Sequence, residues 1–250
     1  MAILYVSSEA VELGALAERL TGLRKLKWPI DYAWEGIWEG RRLMLAANGA
    51  GPKLAEKAVE VAIRAVTAGN LSSSRLEAIV STGFCGALDP DLREGQVIVA
   101  NEVLDLESQE KFAATSVCGG ETTPSGLIVS QDRIANSAAE KQQLRATGAI
   151  AIEMEAAAVA ARAKRAGLPF ACIKVVTDRA DESFGFDVNQ MRSTDGRIRR
   201  GKIGFYALTH PNVVPELFRL KRRTQDAVRV LGEFLVNCRI SSESTGSQPD

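Results

Sequence analysis

The sequence predicts a single α/β domain, because short apolar runs alternate with segments of helical period. Apolar runs at 3–6 and 43–47 are followed by amphipathic stretches at 11–20 and 54–68. This order is typical of βαβ units, in which helices cover a parallel or mixed sheet. The length of 250 residues fits one large domain better than two small ones.

The second half of the chain continues the same rhythm. The pattern predicts strands at 78–81, 97–103, 149–154 and 170–176, and helices at 156–165 and 215–236. Gly167 and Pro169 are placed to end the helix at 156–165, because glycine accepts a left-handed C′ position and proline prevents continuation.

Two segments lack a regular period. Residues 183–210 are predicted to form a loop that covers a site, and the polar residues 241–250 contain no large apolar side chain. We therefore expect residues 1–240 to form the domain and residues 241–250 to be a disordered tail.

Composition excludes several classes of partner and site. Lys plus Arg and Asp plus Glu both number 31, so net charge predicts no binding to nucleic acid. No basic leader precedes the first strand and no apolar run reaches the ~20 residues of a membrane span, so we expect a cytoplasmic protein without an integral membrane segment. The four cysteines form no C-x-x-C pair, so we expect no metal site. No G-x-G-x-x-G motif follows the first strand, so we expect no bound cofactor.

The chain has one histidine, His210, in a context typical of a turn. A Ser-His-Asp triad or a multi-histidine metal site would have to use that residue. Acid-base chemistry is therefore expected to come from carboxylates.

Carboxylates stand where two predicted strands end. Glu153 and Glu155 occupy alternate positions and so share one face of a strand, and Asp178 follows Thr177 after the buried run 170–176. Ligands of α/β sheets bind at the carboxyl ends of strands. Structural roles remain alternatives to ligand binding. Glu155 could interact favourably with the dipole of the helix that follows it, and Asp178 could cap a turn.

The combination of motifs resembles a known family. Glu153-Met154-Glu155-Ala-Ala-Ala followed by Thr177-Asp178-x-Ala-Asp is similar to the signature of methylthioadenosine/S-adenosylhomocysteine nucleosidases, whose wider family includes purine nucleoside and uridine phosphorylases. Two further segments match in order, Asn48-Gly-Ala50-Gly51 and the run from Ser81 to Leu92. The resemblance covers residues 1–182.

The resemblance implies a nucleoside phosphorylase-like fold, in which a central mixed, partly barrel-like β-sheet is flanked by helices. It implies cleavage of the N-glycosidic bond of a purine nucleoside, a 5′-substituted adenosine, with release of adenine. Water or phosphate would accept the ribose. The protein would be a homo-oligomer, with a dimer favoured.

The resemblance also assigns catalytic roles. Asp178 would be the general acid that protonates the purine at N7, which turns the base into a neutral leaving group. Glu155 would bind the ribose 2′- and 3′-hydroxyls, with Met154 beneath the sugar and Glu153 nearby.

An early glutamate would direct the nucleophilic water. Glu9 is the first candidate, and Glu12, which we expect on the solvated face of a helix, is the second. A helical segment around Ile134 would place backbone groups against the base. The remaining predicted substrate-binding residues are Gly83, Phe84, Cys85, Lys174, Thr177, Ala50 and Gly51.

Two residues depart from the nucleosidase pattern. Lys174 stands where these enzymes commonly have arginine, and Phe84 stands where they have serine. Phosphorylases bring arginine and serine to the loop that contains Phe84 in order to bind phosphate, but Ser81 and Phe84 occupy the corresponding places here. The usual phosphate pocket is therefore incomplete, although the amides of residues 48–51 could hold an anion at a helix start.

Two alternative functions remain. The stretch from Thr194 onward resembles the tail of hopanoid-associated phosphorylases, which implies an adenosylhopane substrate and a wide apolar pocket with Phe84, Phe184 and Phe186. A non-catalytic nucleoside-binding protein is the other alternative, but such a protein would not need both Glu155 and Asp178.

Overall fold

The structure is a computed structural model that describes residues 1–68, 75–118, 123–191, 193 and 214–240. The strands are β1 (Ala2–Ser7), β2 (Thr21–Lys25), β3 (Tyr32–Trp38), β4 (Arg41–Ala47), β5 (Leu76–Ala87), β6 (Val97–Asp105), β7 (Lys111–Ala113), β8 (Val117–Cys118), β9 (Ser125–Ser130), β10 (Ala151–Glu153), β11 (Phe170–Asp178) and β12 (Arg239–Ile240). The helices are α1 (Gly14–Ala17), α2 (Pro52–Thr67), α3 (Ala138–Arg145), α4 (Ala156–Arg165) and α5 (Val214–Asn237), with 3-10 turns at Ala10–Leu13 and Val188–Met191.

Ten of the strands in the described ranges form one mixed sheet that closes on itself. β5 runs parallel to β1 and β11, and its far end pairs with β10 through Gly86 with Ile152 and Ala87 with Ala151. The strands β10, β9, β6, β11 and β5 therefore make a closed circuit, and β1, β4, β3 and β2 extend it. The predicted mixed, partly barrel-like sheet is confirmed.

Helices cover both faces of this sheet. The side chain of Ile79 on β5 packs in the same apolar layer as Ala58 of α2 and Ala160 of α4. Its neighbour Val80 packs on the other side with Leu231 of α5. Successive residues of a strand point to opposite faces, so this long buried strand joins two cores.

The helix predicted at 11–20 is present only in part, from Ala10 to Ala17. A 3-10 turn at Ala10–Leu13 and the one-turn helix α1 take its place, because the chain turns back at once into the edge strand β2. The sequence pattern also did not indicate β2 and β3. All five residues of β2 are exposed, so the strand lacks the apolar alternation that marks a half-buried strand.

Other predicted elements agree in kind, and one of them also agrees in its bounds. α4 spans the predicted residues 156–165, and Gly167 follows it with φ of 63°, the left-handed C′ conformation that favours glycine. The strand predicted at 149–154 is only Ala151–Glu153, because the chain then turns into the start of α4.

No helix in the described ranges is long and apolar enough to cross a membrane. Residues 241–250, His210 and most of the predicted loop at 183–210 lie outside the described residues, so the tail and the domain limits stay predictions.

Candidate active site

A cavity of about 430 Å³ opens at the carboxyl ends of β1, β5, β10 and β11. The predicted site residues that line it are Glu9, Glu12, Ala50, Phe84, Cys85, Ile134, Glu153, Met154, Glu155, Thr177 and Asp178. Gly51, Gly83 and Lys174 lie behind its wall, where they contact the lining carboxylates. A larger cavity of about 590 Å³ near Arg24 and Arg64 contains none of the predicted residues.

Glu12 is buried, with only 3% of its surface exposed, so the prediction of a solvated helix-face acid is wrong. Its carboxylate accepts hydrogen bonds from Ser8 Oγ (2.9 Å), the Glu9 amide (2.9 Å) and the Phe84 amide (3.2 Å). Burial raises the pKa of Glu12, although these donors oppose the shift. Glu9, by contrast, is half-buried at the cavity mouth.

Gly83 makes room for the Glu12 carboxylate. It has φ of 120°, and a Cβ at this position would lie 2.8 Å from Glu12 Oε1. A larger residue would therefore both strain the backbone and displace the carboxylate.

Glu155 stands at the N-cap position of α4, where β10 hands over to the helix. Its Oε1 accepts a 2.7 Å hydrogen bond from the Gly51 amide, at the start of α2. Burial raises the pKa of Glu155 to about 8, and the nearby charge of Glu153 adds to the shift. This contact brings two predicted site residues, Gly51 and Glu155, together.

Glu153 faces the protein interior. Its carboxylate accepts from the Glu155 amide (3.0 Å), the Ala156 amide (2.9 Å) and the Ser130 hydroxyl, and it pairs with Lys174 Nζ at 2.8 Å. These contacts hold the junction between β10 and α4 in place. Of the two glutamates, Glu155 is therefore the one whose carboxyl group is available to a ligand in the cavity.

Lys174 is completely buried beneath the cavity, and its Nζ also donates to the Thr82 carbonyl at 3.2 Å. Burial lowers the pKa of Lys174, but the charge of the adjacent Glu153 raises it by more. The net shift of the pKa is therefore upward, and the ammonium stays charged. The positive charge is matched by Glu153 inside the wall.

Asp178 ends β11 and is buried at the cavity floor. Its Oδ1 accepts from Thr177 Oγ1 at 3.0 Å, and its Oδ2 lies 2.5 Å from Lys141 Nζ. Burial raises the pKa of Asp178, against the opposing effect of the Lys141 charge. Gly86 allows this approach, because a Cβ there would lie 2.8 Å from Asp178 Oδ2.

Lys141 was missed by the sequence analysis, which placed no helix at 138–145. Helical spacing puts Lys141 on one face with Ala138 and Leu144, the less exposed face of α3. That spacing was the available signal, but it indicates burial and does not name Asp178 as the partner.

Ile134 lies in irregular backbone, so the predicted helical segment around it is wrong. Ser137 caps α3 by accepting from the Glu140 amide at 3.2 Å, and the helix therefore begins only at Ala138. Asn189 hydrogen-bonds both the amide and the carbonyl of Ile134, at 2.8 and 3.0 Å, and Ile134 lines the cavity.

The segment after β11 closes one side of the cavity. Phe184 and Phe186 line it together with Leu217 and Leu220 of α5. The Phe184 amide donates to the Asn136 carbonyl at 2.9 Å, which fixes the segment against the start of α3. The described part of the predicted covering loop thus borders the site.

Comparison with known proteins gives the family. Residues 4–115 and 114–199 match the Phosphorylase superfamily. The chain belongs to this superfamily. The predicted membership is therefore confirmed, while the likeness to hopanoid-associated phosphorylases remains a prediction.

Relatives within the superfamily include nucleosidases. A 5′-methylthioadenosine/S-adenosylhomocysteine nucleosidase of Staphylococcus aureus is 24% identical over 197 residues, which cover 68% of this chain and 83% of that protein. The nucleosidase of the same name from Streptococcus pneumoniae was solved with the transition-state inhibitor MT-ImmA. It superposes with a TM-score of 0.69 at 17% identity, and the superposition covers 94% of this chain and 97% of that chain. The Neisseria meningitidis enzyme, solved with methylthio-immucillin-A, gives 0.66 at 22% identity, with 94% and 98% covered.

A futalosine hydrolase mutant of Helicobacter pylori has the same fold. It superposes with a TM-score of 0.67 at 15% identity, and 94% of this chain and 96% of that chain are covered. Proteins named for different activities therefore share this fold, and fold alone does not select among those activities.

Proposed function

We propose that the protein hydrolyses the N-glycosidic bond of a 5′-substituted adenosine and releases adenine. The observation that supports this most directly is that Asp178, Glu155 and Glu12 meet around one cavity from three separate elements. Their environments differ, and pairs of carboxylates with different environments can divide acid and base duties between them.

Each carboxylate has a role that its contacts fit. Asp178, whose pKa is raised by burial, gives its proton to purine N7. Glu155 hydrogen-bonds the ribose hydroxyls, and its ionised form favours the positive charge that develops on the sugar. Glu12 accepts a proton from the attacking water. Met154 lines the cavity next to Glu155, and we place it beneath the ribose.

Water fits this cavity better than phosphate does. The amides of Gly49, Gly51 and Phe84 already donate to Ser8 O, Glu155 and Glu12, so they are not free to hold an anion. Lys174 is matched by Glu153. These four donors are therefore already engaged, and the carboxyl groups that line the same end of the cavity do not attract a phosphate anion.

Cations within the described lining are also engaged. Arg133 pairs with Glu140, and Arg223 pairs with Glu182 and Glu94. This favours hydrolysis over phosphorolysis.

The apolar wall supports a second candidate substrate. Phe184, Phe186, Leu217 and Leu220 would contact a large apolar 5′ group such as that of adenosylhopane. A non-catalytic nucleoside binder is disfavoured, because burying three carboxylates costs stability that simple binding does not require.

The proposed setting is the cytoplasm, where Cys85, Cys172 and Cys238 would stay reduced, as they are in the structure. We also propose a homodimer. Large apolar side chains exposed on the surface, Val11 at 47% and Phe218 at 68%, support an interface.

The first test measures release of the free base from methylthioadenosine, adenosylhomocysteine, adenosylhopane and adenosine, each with and without phosphate, with inosine and its hypoxanthine product as the comparison for base specificity. We expect release from the 5′-substituted adenosines, free ribose derivatives as products, and rates that phosphate leaves unchanged. Absolute phosphate dependence would overturn hydrolysis. Release from adenosylhopane alone would select the second candidate.

Gly86→Ala tests the position of Asp178. The new methyl group would overlap Asp178 Oδ2 and shift the carboxyl, so we expect kcat to fall by about 10²-fold, as ~1 Å misplacements do. The matched control is Gly14→Ala, because nothing lies within 4 Å of a Cβ at Gly14 and its φ of −57° suits alanine. Equal activity of the two variants would contradict this placement.

A further inference from the structure

Lys141 is an unusual residue for the inside of a protein. Only 1% of its surface is exposed, although lysine is almost never fully buried without a partner. It lies in the second turn of α3, and its partner Asp178 lies at the end of β11. The two elements are thus joined by an ion pair directly below the cavity.

The ammonium group is held from several sides. Its Nζ donates to Asp178 Oδ2 at 2.5 Å and to the Arg179 carbonyl at 2.6 Å, and it lies 5.7 Å from the centre of the Phe184 ring. A lysine ammonium has three donors, so these contacts fix its position closely.

Other groups around Asp178 do not replace this charge. The Thr177 hydroxyl bonds Oδ1, the buried Cys85 faces Asp178 from β5, and Glu182 lies beyond, held by Arg223 of α5. Among the described residues, Lys141 supplies the direct cationic contact to the Asp178 carboxyl.

We propose that Lys141 is a positioning residue that holds Asp178 against purine N7 and stabilises the carboxylate left after proton transfer. This inference rests on the proposed function and names a residue that acts through the general acid.

The proton transfer balances as follows. The O–H bond of Asp178 breaks and an N7–H bond forms, while the electron pair of the glycosidic bond passes to the purine. Water attacks the sugar cation and gives its proton to Glu12. Asp178 ends as an anion beside Lys141, in a buried place where an unpaired anion would be costly.

The Lys141 charge also sets the pH range of the acid. Lysine favours the anionic form of Asp178 and so lowers its pKa relative to burial alone. Without Lys141, the pKa of Asp178 would be higher and the acid would keep its proton to higher pH. The proton would then be transferred less readily, because the resulting anion has lost its partner.

The experiment compares Lys141→Met with Lys164→Met in the full-length chain. Lys164 is the control, because it is 69% exposed and pairs with the exposed Glu110. For Lys141→Met on methylthioadenosine we expect kcat about 10²-fold lower, KM within about 3-fold, and the upper limb of the kcat/KM pH profile moved by about one unit to higher pH. A purely structural role would lower the amount of folded enzyme and leave the pH limb in place, and that result would overturn the proposal.

A measurement without substrate separates this proposal from the proposed function. The ¹³C signal of the Asp178 carboxyl is titrated in the wild-type protein and in Lys141→Met, and in Lys141→Gln where Met does not fold. We expect a higher pKa of Asp178 in the variants. If the pKa of Asp178 is the same in the variants and in the wild type, the role of Lys141 is overturned. If the variants raise this pKa but the wild type releases no adenine, only the proposed reaction is overturned.

Discussion

Asp178→Asn is expected to reduce adenine release by about 10²- to 10⁴-fold, the range typical of losing a general acid. The amide has nearly the shape of the carboxyl and still accepts a hydrogen bond from Lys141. It has no acidic proton for purine N7, so the base would leave as a poor anionic leaving group. The measurement is kcat on methylthioadenosine near neutral pH.

Asp181→Asn is the matched control for this experiment. Asp181 lies three residues further along, is 70% exposed at its side chain and pairs with Arg179 at the surface. We expect its activity to stay within about 2-fold of wild type, because exposed ion pairs contribute little. Near-normal turnover by Asp178→Asn would show that the acid lies elsewhere.

The pH dependence of the wild type follows from the same residue. Asp178 works in its protonated form, and burial raises its pKa. Activity is therefore present below that raised pKa and declines as pH rises through it. In Asp178→Asn the residual activity should lose this decline, which is a check independent of the size of the loss.

Thermal unfolding distinguishes a chemical effect from a structural one. In Asp178→Asn the buried Lys141 loses its opposite charge, and breaking a buried pair is destabilising. We expect a folded variant with a lower Tm. The far-UV spectrum should match that of the wild type below the transition.

The positions of the carboxylates at the strand ends could be predicted from the sequence, because they depend only on which residues directly follow an apolar run. Glu155 and Asp178 each follow an apolar run, and the carboxyl ends of neighbouring strands meet at one edge. The closure of the barrel through Gly86 and Ile152 could not be derived from apolar periodicity, which shows where strands occur but not which strands pair.

Burial of charged residues was the part that the sequence could not show. The surroundings of Glu12 come from Ser8, Gly83 and Phe84, which adopt their places only after β1 and β5 pair. Lys141 presents the same difficulty, since its partner lies 37 positions away. Such contacts depend on tertiary packing and leave little local signal.

Glu12→Gln is expected to lower kcat for hydrolysis by about 10²-fold or more, because a neutral amide cannot take the proton of the attacking water. Glu12 works as the carboxylate. Burial raises its pKa, so wild-type activity should fall as pH drops through that raised value, and the variant should lose this lower limb. The measurement is the pH profile of kcat/KM on methylthioadenosine.

Glu9→Gln is the control that decides between the two early glutamates. Glu9 is half-buried at the cavity mouth, while Glu12 is almost completely buried and lies against Gly83 and the Phe84 amide. A buried carboxylate with a raised pKa is the better base near neutral pH, since a proton acceptor works best when its pKa approaches the working pH. We therefore expect Glu9→Gln to retain activity within about 3-fold of wild type. A collapse of activity in Glu9→Gln with a mild effect in Glu12→Gln would reverse the assignment and make Glu9 the residue that directs water.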